Sequence, residues 1–371
     1  IPQWWDSYNL DRTIGIQYLI AKSQSIFGMN SFAAHIPTTL AALLMIILTY
    51  KLHEELLGQK GSIFSSLILS TTYIWLDFAH QATQDMIFAC LVTAGLYSII
   101  KIKKQETSIF YIIFGAWIGL AFMLKTFFVV VPLIGLIPYI FEKKKVLINK
   151  YFFIGLFLGF LPFVIWYFTI NEFLERNILY HLMDKFNNLS SQNSFTNPFY
   201  YYLWNIPLNF LPWSIFSFIG FIENYKQSKS NKIILCYFPI LFLIIISIFS
   251  TKTPYYALPI ASIFSINAYS GIKFIIHSKQ IKPIFLFLIT KVIPFFVLSI
   301  VFSYYLHFKN LIDLSDQGEL HIILGLLLLA STYILIKQVH DPQKILILLI
   351  LGPYLFSSLL IQSGLLTDRS K

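Results

Sequence analysis

Apolar residues run along this chain in stretches close to twenty long, separated by short polar connections. A helix needs about twenty mostly apolar residues to cross a bilayer core. Twelve stretches meet that pattern: 32-50, 61-78, 84-100, 108-124, 127-141, 151-169, 205-222, 233-249, 255-275, 283-305, 320-338 and 345-364. Ahead of the first stands the polar segment from Trp4 to Gly28. There Ile14, Ile16, Tyr18, Leu19, Ile20, Ile26 and Phe27 recur largely at helical spacing, with Lys22, Ser23 and Gln24 on another side. That predicts a short helix lying at a membrane surface. One long polar connection, 170-204, carries Glu172, Glu175, Arg176, His181, Asp184 and Lys185. No internal repeat, low-complexity linker or soluble domain interrupts the pattern, so residues 1-371 read as a single polytopic helical unit.

Composition turns the pattern into a fold class. The chain is 57% hydrophobic and only 12% charged, where soluble domains carry about a quarter charged residues. The expectation is an all-α integral membrane protein, a polytopic bundle of about 12 spans with short amphipathic helices in its outer loops. Seventeen of the 27 Lys and Arg residues fall in alternate connections: Lys51 and Lys60; Lys101, Lys103 and Lys104; Lys143, Lys144, Lys145 and Lys150; Lys226, Lys229 and Lys232; Lys273, Lys279 and Lys282; Lys337 and Lys344. The positive-inside rule makes that set cytoplasmic. Loops 1-30, 79-83, 125-126, 170-204, 250-254 and 306-319 then face outward from a bacterial inner membrane. On this reading the net charge of +10 comes from cytoplasmic-loop lysines and points to the bilayer, with no nucleic-acid partner. An even number of spans with both ends outside implies one further span before Ile1. No signal peptide is expected, since Ile1 is not Met and no apolar segment precedes Trp4. Cys90 and Cys236 lie in apolar runs without metal-ligand spacing and read as buried thiols.

Candidate chemistry gathers at the outward ends of the spans. Asp85 opens the span 84-100, Lys125 closes 108-124, and Lys252 sits between two spans in STKTPYYALP. Ionisable groups at membrane depth are costly and tend to mark function. Arg12, Lys125 and Lys252, with Lys185, would suit an anionic phosphate if they face one cavity. Asp11 and Asp85 could orient those cations or take a proton from a hydroxyl. Each has a plainer reading. A lone lysine at a helix end can snorkel to the headgroups, Asp85 can cap its helix, and His181 can be a solvated loop histidine. Tyr255 and Tyr256 can serve as packing and interface anchors.

At these residues the chain resembles the GT-C type glycosyltransferases that use polyprenyl-phosphate sugars, in particular the aminoarabinose transferases of lipid A and the protein O-mannosyltransferases. That family has an acidic residue and Lys-Pro-Pro, then a helix ending Phe-Gly, then Glu-Phe-Ala-Ala-Arg-Leu-Pro. This chain reads Asp11-Arg12-Thr13-Ile14, ends the helix at Phe27-Gly28 and continues Asn30-Ser31-Phe32-Ala33-Ala34-His35-Ile36-Pro37. Arg12 keeps the positive charge, and both prolines are absent. Further on, Thr83-Gln84-Asp85 resembles Arg-Pro-Asp, and Met123-Leu124-Lys125-Thr126 resembles Leu-Thr-Lys-Gly. His181 with Lys185-Phe186 resembles a His followed by a basic-Phe pair. Leu211-Pro212-Trp213-Ser214 matches outright, and Thr251-Lys252-Thr253-Pro254-Tyr255-Tyr256-Ala257-Leu258-Pro259 resembles Ser-Lys-x-Pro-Tyr-Tyr-x-x-Pro. The matches cover residues 1-260; the last third is similar only in being helical.

The resemblance implies an inverting transfer of a sugar, hexosyl or pentosyl, from a polyprenyl-phosphate donor to a lipid, glycan or protein acceptor outside the cytoplasmic membrane. Arg12, Lys125, His181, Lys185, Lys252, Tyr255 and Tyr256 would contact the donor phosphate or sugar, and Asp11 and Asp85 would be the catalytic or orienting carboxylates. It also implies that the family's main acidic pair belongs upstream of Ile1. No metal cluster and no Gly-rich nucleotide loop are seen, so no cofactor is expected. The rival readings are a transporter or flippase of lipid-linked sugars, or a non-catalytic fragment of the family.

Overall fold

The computed structural model describes residues 3–4, 7–8, 13–104, 107–142, 144–174, 177–180, 182–183, 197–303, 316–339 and 341–363. Helix dominates them. The segment before the first span holds a two-stranded antiparallel ladder, β1 (Gln3–Trp4) with β2 (Ser7–Tyr8), and then α1 (Gly15–Phe27). The expected surface helix therefore occupies only the second half of its segment. It leaves Tyr18, Ile26 and Phe27 exposed, as a helix lying on a bilayer would. The Asn30 side chain then accepts from the Ala33 N–H at 2.8 Å and caps the next helix, α2 (Ser31–Leu57), which gives an acceptor to one of the donors a helix start leaves unpaired.

The remaining helices are α3 (Ser62–Ser70), α4 (Tyr73–Ala79), α5 (Gln84–Lys104), α6 (Ser108–Lys125), α7 (Val130–Glu142) and α8 (Lys150–Leu174). They are followed by α9 (Tyr201–Asn209), α10 (Ser214–Asn224), α11 (Lys229–Ile248), α12 (Pro254–His277), α13 (Ile281–Phe302), α14 (Gly318–Gln338) and α15 (Pro342–Gln362). Among the described residues, nine helical runs are long and apolar enough to cross a membrane, or eleven if α3 with α4 and α9 with α10 each count as one bent span. Twelve were expected. The difference lies at 108–142, which counts as one helical run of 35 residues where two spans were expected.

That run nevertheless turns back. Thr126 has φ 46°, a left-handed value that interrupts an α-helix. On one side of the break Phe128 packs on Phe249, with ring centroids 6.2 Å apart; at the far end of α7 Glu142 pairs with Lys229 at 3.2 Å. Helix α7 thus runs antiparallel to α11. The second end of the bundle is marked by Lys101 and Lys104 on Glu55, at 2.6 and 2.9 Å, and by the Asn231 amide on the Leu56 carbonyl at 2.5 Å. The lysine-rich connections meet there, and Asp85, Lys125 and Tyr256 meet at the opposite end.

Close backbone approach holds α6 to α8, which run parallel. Gly115 and Gly119 on α6 face Gly155 and Gly159 on α8, and a Cβ added at Gly119 would lie 2.2 Å from the Gly159 carbonyl carbon. Two small-xxx-small faces of this kind are how membrane helices pack without a hydrophobic drive between them. A polar tie crosses the centre: Thr49 on α2 donates to Ser262 on α12 at 2.8 Å, and Thr93 on α5 lies 3.1 Å from the same hydroxyl. The two bent pairs, straight in the sequence reading, turn by 64° and 107°. Pro212, which has no N–H to give a helix, lies in the second break. The breaks are joined to each other: the Tyr73 N–H donates to the Leu211 carbonyl at 3.0 Å, and Trp213 Nε1 donates to Thr71 Oγ1 at 2.9 Å.

Candidate functional site

Helices α5 and α6 are antiparallel, so the first turn of one adjoins the last turn of the other. Asp85 lies in the first turn of α5 and Lys125 ends α6. Helix dipoles favour an anion at the first position and a cation at the second. The Lys125 amine stands 2.5 Å from Asp85 Oδ1, with the two side chains only 6% and 9% exposed. Four rings surround the same amine, Phe88 at 5.4 Å, Phe128 at 5.0 Å, Tyr255 at 5.0 Å and Tyr256 at 5.5 Å. Ring faces attract a cation at these distances, more so where water is excluded.

Local structure explains how the walls arise. Phe88 follows Asp85 by three residues and so shares its helix face. The break at Thr126 begins a short 3₁₀ turn, Thr126–Val129, that brings Phe128 back over Lys125. A second 3₁₀ segment, Pro254–Ile260, opens α12 and presents both tyrosines, whose rings meet edge to face at 5.1 Å. Tyr256 also packs on Phe128 at 4.8 Å, and Tyr255 on Phe78 at 5.7 Å.

Lys252 is buried in the loop just before those tyrosines, but its amine is turned elsewhere. It donates to the carbonyls of Phe249 at 2.6 Å and Asn197 at 2.8 Å, and the Asn197 amide donates back to the Lys252 carbonyl at 2.9 Å. Burial holds the Lys252 pKa below the ordinary lysine value. Tyr202 adds a hydrogen bond to the Thr253 carbonyl at 3.0 Å. The start of α1 reaches the same end. A Cβ on Gly15 would strike the Met123 carbonyl, and Thr13 is fully buried. The residues that follow Arg12 are thus docked on the last turn of α6.

Of the nine residues singled out from sequence, Asp85, Lys125, Tyr255 and Tyr256 come together around one amine. Lys252 sits three residues from Tyr255 with its own carbonyl partners. Asp11, Arg12, His181 and Lys185 lie outside the described residues. Phe88 and Phe128 were not anticipated, although each stands three residues after a charge that was. Asn197 carries no sequence signal at all. Cys90 and Cys236 are buried free thiols. Among the described residues no three His, Cys, Asp or Glu side chains are grouped to hold a metal. A lysine held in this way is a preorganised point charge, and a phosphate oxygen reaching it would meet a cation already stripped of much of its water.

The family described as "Dolichyl-phosphate-mannose-protein mannosyltransferase" matches residues 11–167. The undecaprenyl phosphate-alpha-4-amino-4-deoxy-L-arabinose arabinosyl transferase of Photorhabdus laumondii is 27% identical over 284 residues, covering 70% of this chain and 49% of that protein. A second arabinosyl transferase of the same description, from Proteus mirabilis, is 25% identical over 279 residues, again 70% and 49%. The chain spans about half the length of the curated relatives it matches. Among solved structures, ArnT from Cupriavidus metallidurans bound to undecaprenyl phosphate superposes with a TM-score of 0.80 at 15% identity, over 97% of this chain and 68% of that one. The fold is therefore shared well beyond residue 260, into the last third, where the sequence shows only helicity.

Proposed function

We propose that this chain, a relative of the GT-C type polyprenyl-phosphate-sugar glycosyltransferases, moves a sugar from a polyprenyl-phosphate carrier to an acceptor hydroxyl or phosphate at the outer face of a bacterial cytoplasmic membrane. The observation that carries the reading is the Asp85–Lys125 pair inside its aromatic box. The carrier phosphate would approach Lys125, with Arg12, His181, Lys185 and Lys252 as its further contacts. Tyr255 and Tyr256 would line the sugar. The acceptor oxygen would attack the anomeric carbon from the face opposite the phosphate, breaking the carbon–oxygen bond to it and inverting the centre. A carboxylate would take the acceptor proton; Asp11 is the candidate in this chain, with Asp85 holding Lys125 in place. Charge grows on the leaving phosphate in the transition state, which is where a preorganised cation contributes most. The two relatives described as arabinosyl transferases favour a pentosyl donor over a hexosyl one. Their coverage also makes this a reading of about half the length of such a protein.

Asp85→Asn in the natural protein is the test. Asn caps a helix nearly as well as Asp and is of nearly the same size, but it carries no charge. It also leaves the enclosed Lys125 amine without its carboxylate, which lowers stability, so transfer is read per folded protein: followed with a radiolabelled polyprenyl-phosphate sugar, it should fall by roughly a hundredfold or more. Transfer near the natural rate would remove Asp85 from the site. Translocation of the labelled carrier across vesicles without transfer would favour the carrier-flipping alternative.

A further inference from the structure

Helix α11 is not regular along its length: its first turn, Lys229–Lys232, is α-helical, but the next is not. Residues Ile233–Tyr237 form a π-helical turn, a rare element that recurs at functional sites. Here it is fixed from behind. Asn267 on α12 donates its amide to the Leu235 carbonyl at 2.9 Å, and Cys236 Sγ lies 3.5 Å from the Phe221 carbonyl. On its other side the turn faces α7 across a cavity of about 430 Å³ lined by Pro138, Phe141, Glu142, Lys229, Ile233 and Tyr237.

The lining changes character with depth. Glu142 and Lys229 meet at the lysine-rich end of the bundle, with the Lys229 side chain 83% exposed. Pro138 lies about 6 Å deeper and Tyr237 about 12 Å deeper along their helices. Phe141 and Tyr237 are themselves 66% and 37% exposed. The cavity thus has a charged mouth and an apolar, outward-open floor that begins at Phe141 beside Glu142 and continues to Tyr237. Lys226, Lys229 and Lys232 follow at intervals of three residues, against Glu142 and Glu223 as their acidic neighbours. Lys226 pairs with Glu223 at 3.0 Å. Lys232 rests on the Tyr225 ring at 4.1 Å, and among the described residues it joins no ion pair. The mouth therefore carries a net positive charge.

We propose that this cavity binds an anionic phospholipid, its headgroup phosphate on Lys229 and one acyl chain laid over Phe141 and Tyr237. Charge complementarity selects the headgroup, and Lys226 and Lys232 supply the surrounding positive field. The apolar floor selects a lipid over a free anion. The site lies at the end of the bundle opposite Lys125, so it is separate from the proposed transfer site.

Phe141→Trp, purified in detergent, places a reporter on the floor; the seven native Trp residues are subtracted using the natural protein. Phosphatidylglycerol with brominated acyl chains should quench the reporter at about a fivefold lower concentration than brominated phosphatidylcholine. The preference should vanish in F141W carrying K229Q and K232Q, and survive in F141W carrying K51Q and K104Q, which alters the lysines near Glu54 and Glu55. Equal quenching by the two lipids, or a preference that survives K229Q/K232Q, would overturn the proposal. Release of the quench by an equal concentration of inorganic phosphate would reassign the mouth to a free anion. Should F141W fail to fold, the natural protein gives the same decision: phosphatidylglycerol should raise its melting temperature and phosphatidylcholine should not.

Discussion

The two ends of the bundle use the same chemistry in opposite settings. At the lysine-rich end, five ion pairs among the described residues join lysines to Glu54, Glu55, Glu142 and Glu223, and four of the five lysine side chains are about half exposed or more. At the other end a single described pair, Lys125 with Asp85, is almost wholly enclosed and ringed by aromatic side chains. Exposed pairs contribute about 0–1 kcal/mol each because water and salt screen them. An enclosed pair has given up its water, and losing one partner strands a charge. The number of charges therefore marks an end of the molecule, and their burial marks a site.

The sharpest way to break that contrast is Lys125→Met. It leaves the Asp85 carboxylate buried without its cation, and breaking such a pair costs about 3–5 kcal/mol. A large fall in melting temperature should follow, together with loss of transfer. Lys125→Met with Asp85→Asn should recover most of the stability and none of the transfer. A single variant that melts like the natural protein would place Lys125 among the ordinary helix-end lysines.

A smaller effect should come from Lys252. Its charged form is the one that would bind phosphate, and its pKa lies below the ordinary lysine range because burial disfavours the charge. As pH rises through that lowered pKa the amine loses its proton, so the KM for the lipid-linked donor should rise in alkaline buffer. Stability moves the other way. The unfolded chain keeps the higher pKa and binds more protons in this window, so raising pH favours the fold. Weaker donor binding should thus appear without loss of stability, and Lys252→Met should abolish the alkaline limb. A donor KM that is flat with pH in the natural protein would detach Lys252 from the site. The smallest effect belongs to Lys51→Gln, which breaks the exposed pair with Glu54; melting should shift by under about 1 kcal/mol equivalent and transfer should be unchanged. A large loss there would erase the distinction between the ends.

The apolar runs were legible because a bilayer imposes length and hydrophobicity residue by residue. Asp85, Lys125, Tyr255 and Tyr256 were legible because charge and paired tyrosines at span ends are uncommon. Their mutual contact was not, since it depends on α5, α6 and the start of α12 meeting in space. Phe88 and Phe128 were hidden among 37 phenylalanines, most of which have only packing to do. The breaks at 71–72 and 210–213 were read as straight spans, because hydropathy sees no difference between a straight apolar helix and two bent ones. Thr126 itself gave no warning, since Thr is among the residues least suited to a positive φ; the signal lay in the resembled Leu-Thr-Lys-Gly motif, whose Gly at this position is the residue such a backbone favours.

The joined breaks also set a timetable for how the protein is made. A bent span in lipid exposes backbone groups that hydrocarbon cannot satisfy, each at a cost of several kcal/mol. At the break between α3 and α4 the Tyr73 N–H finds its partner in the Leu211 carbonyl, and the Thr71 hydroxyl accepts from Trp213, 142 residues further along the chain. At about 5–20 residues per second of synthesis, α3 and α4 leave the ribosome on the order of ten seconds before those partners exist. During that interval the early helices need a substitute environment, whether the insertion machinery, water at the interface or a straighter temporary form. Assembly of the first half is thus tied to the arrival of the second, and the chain sets its bends late.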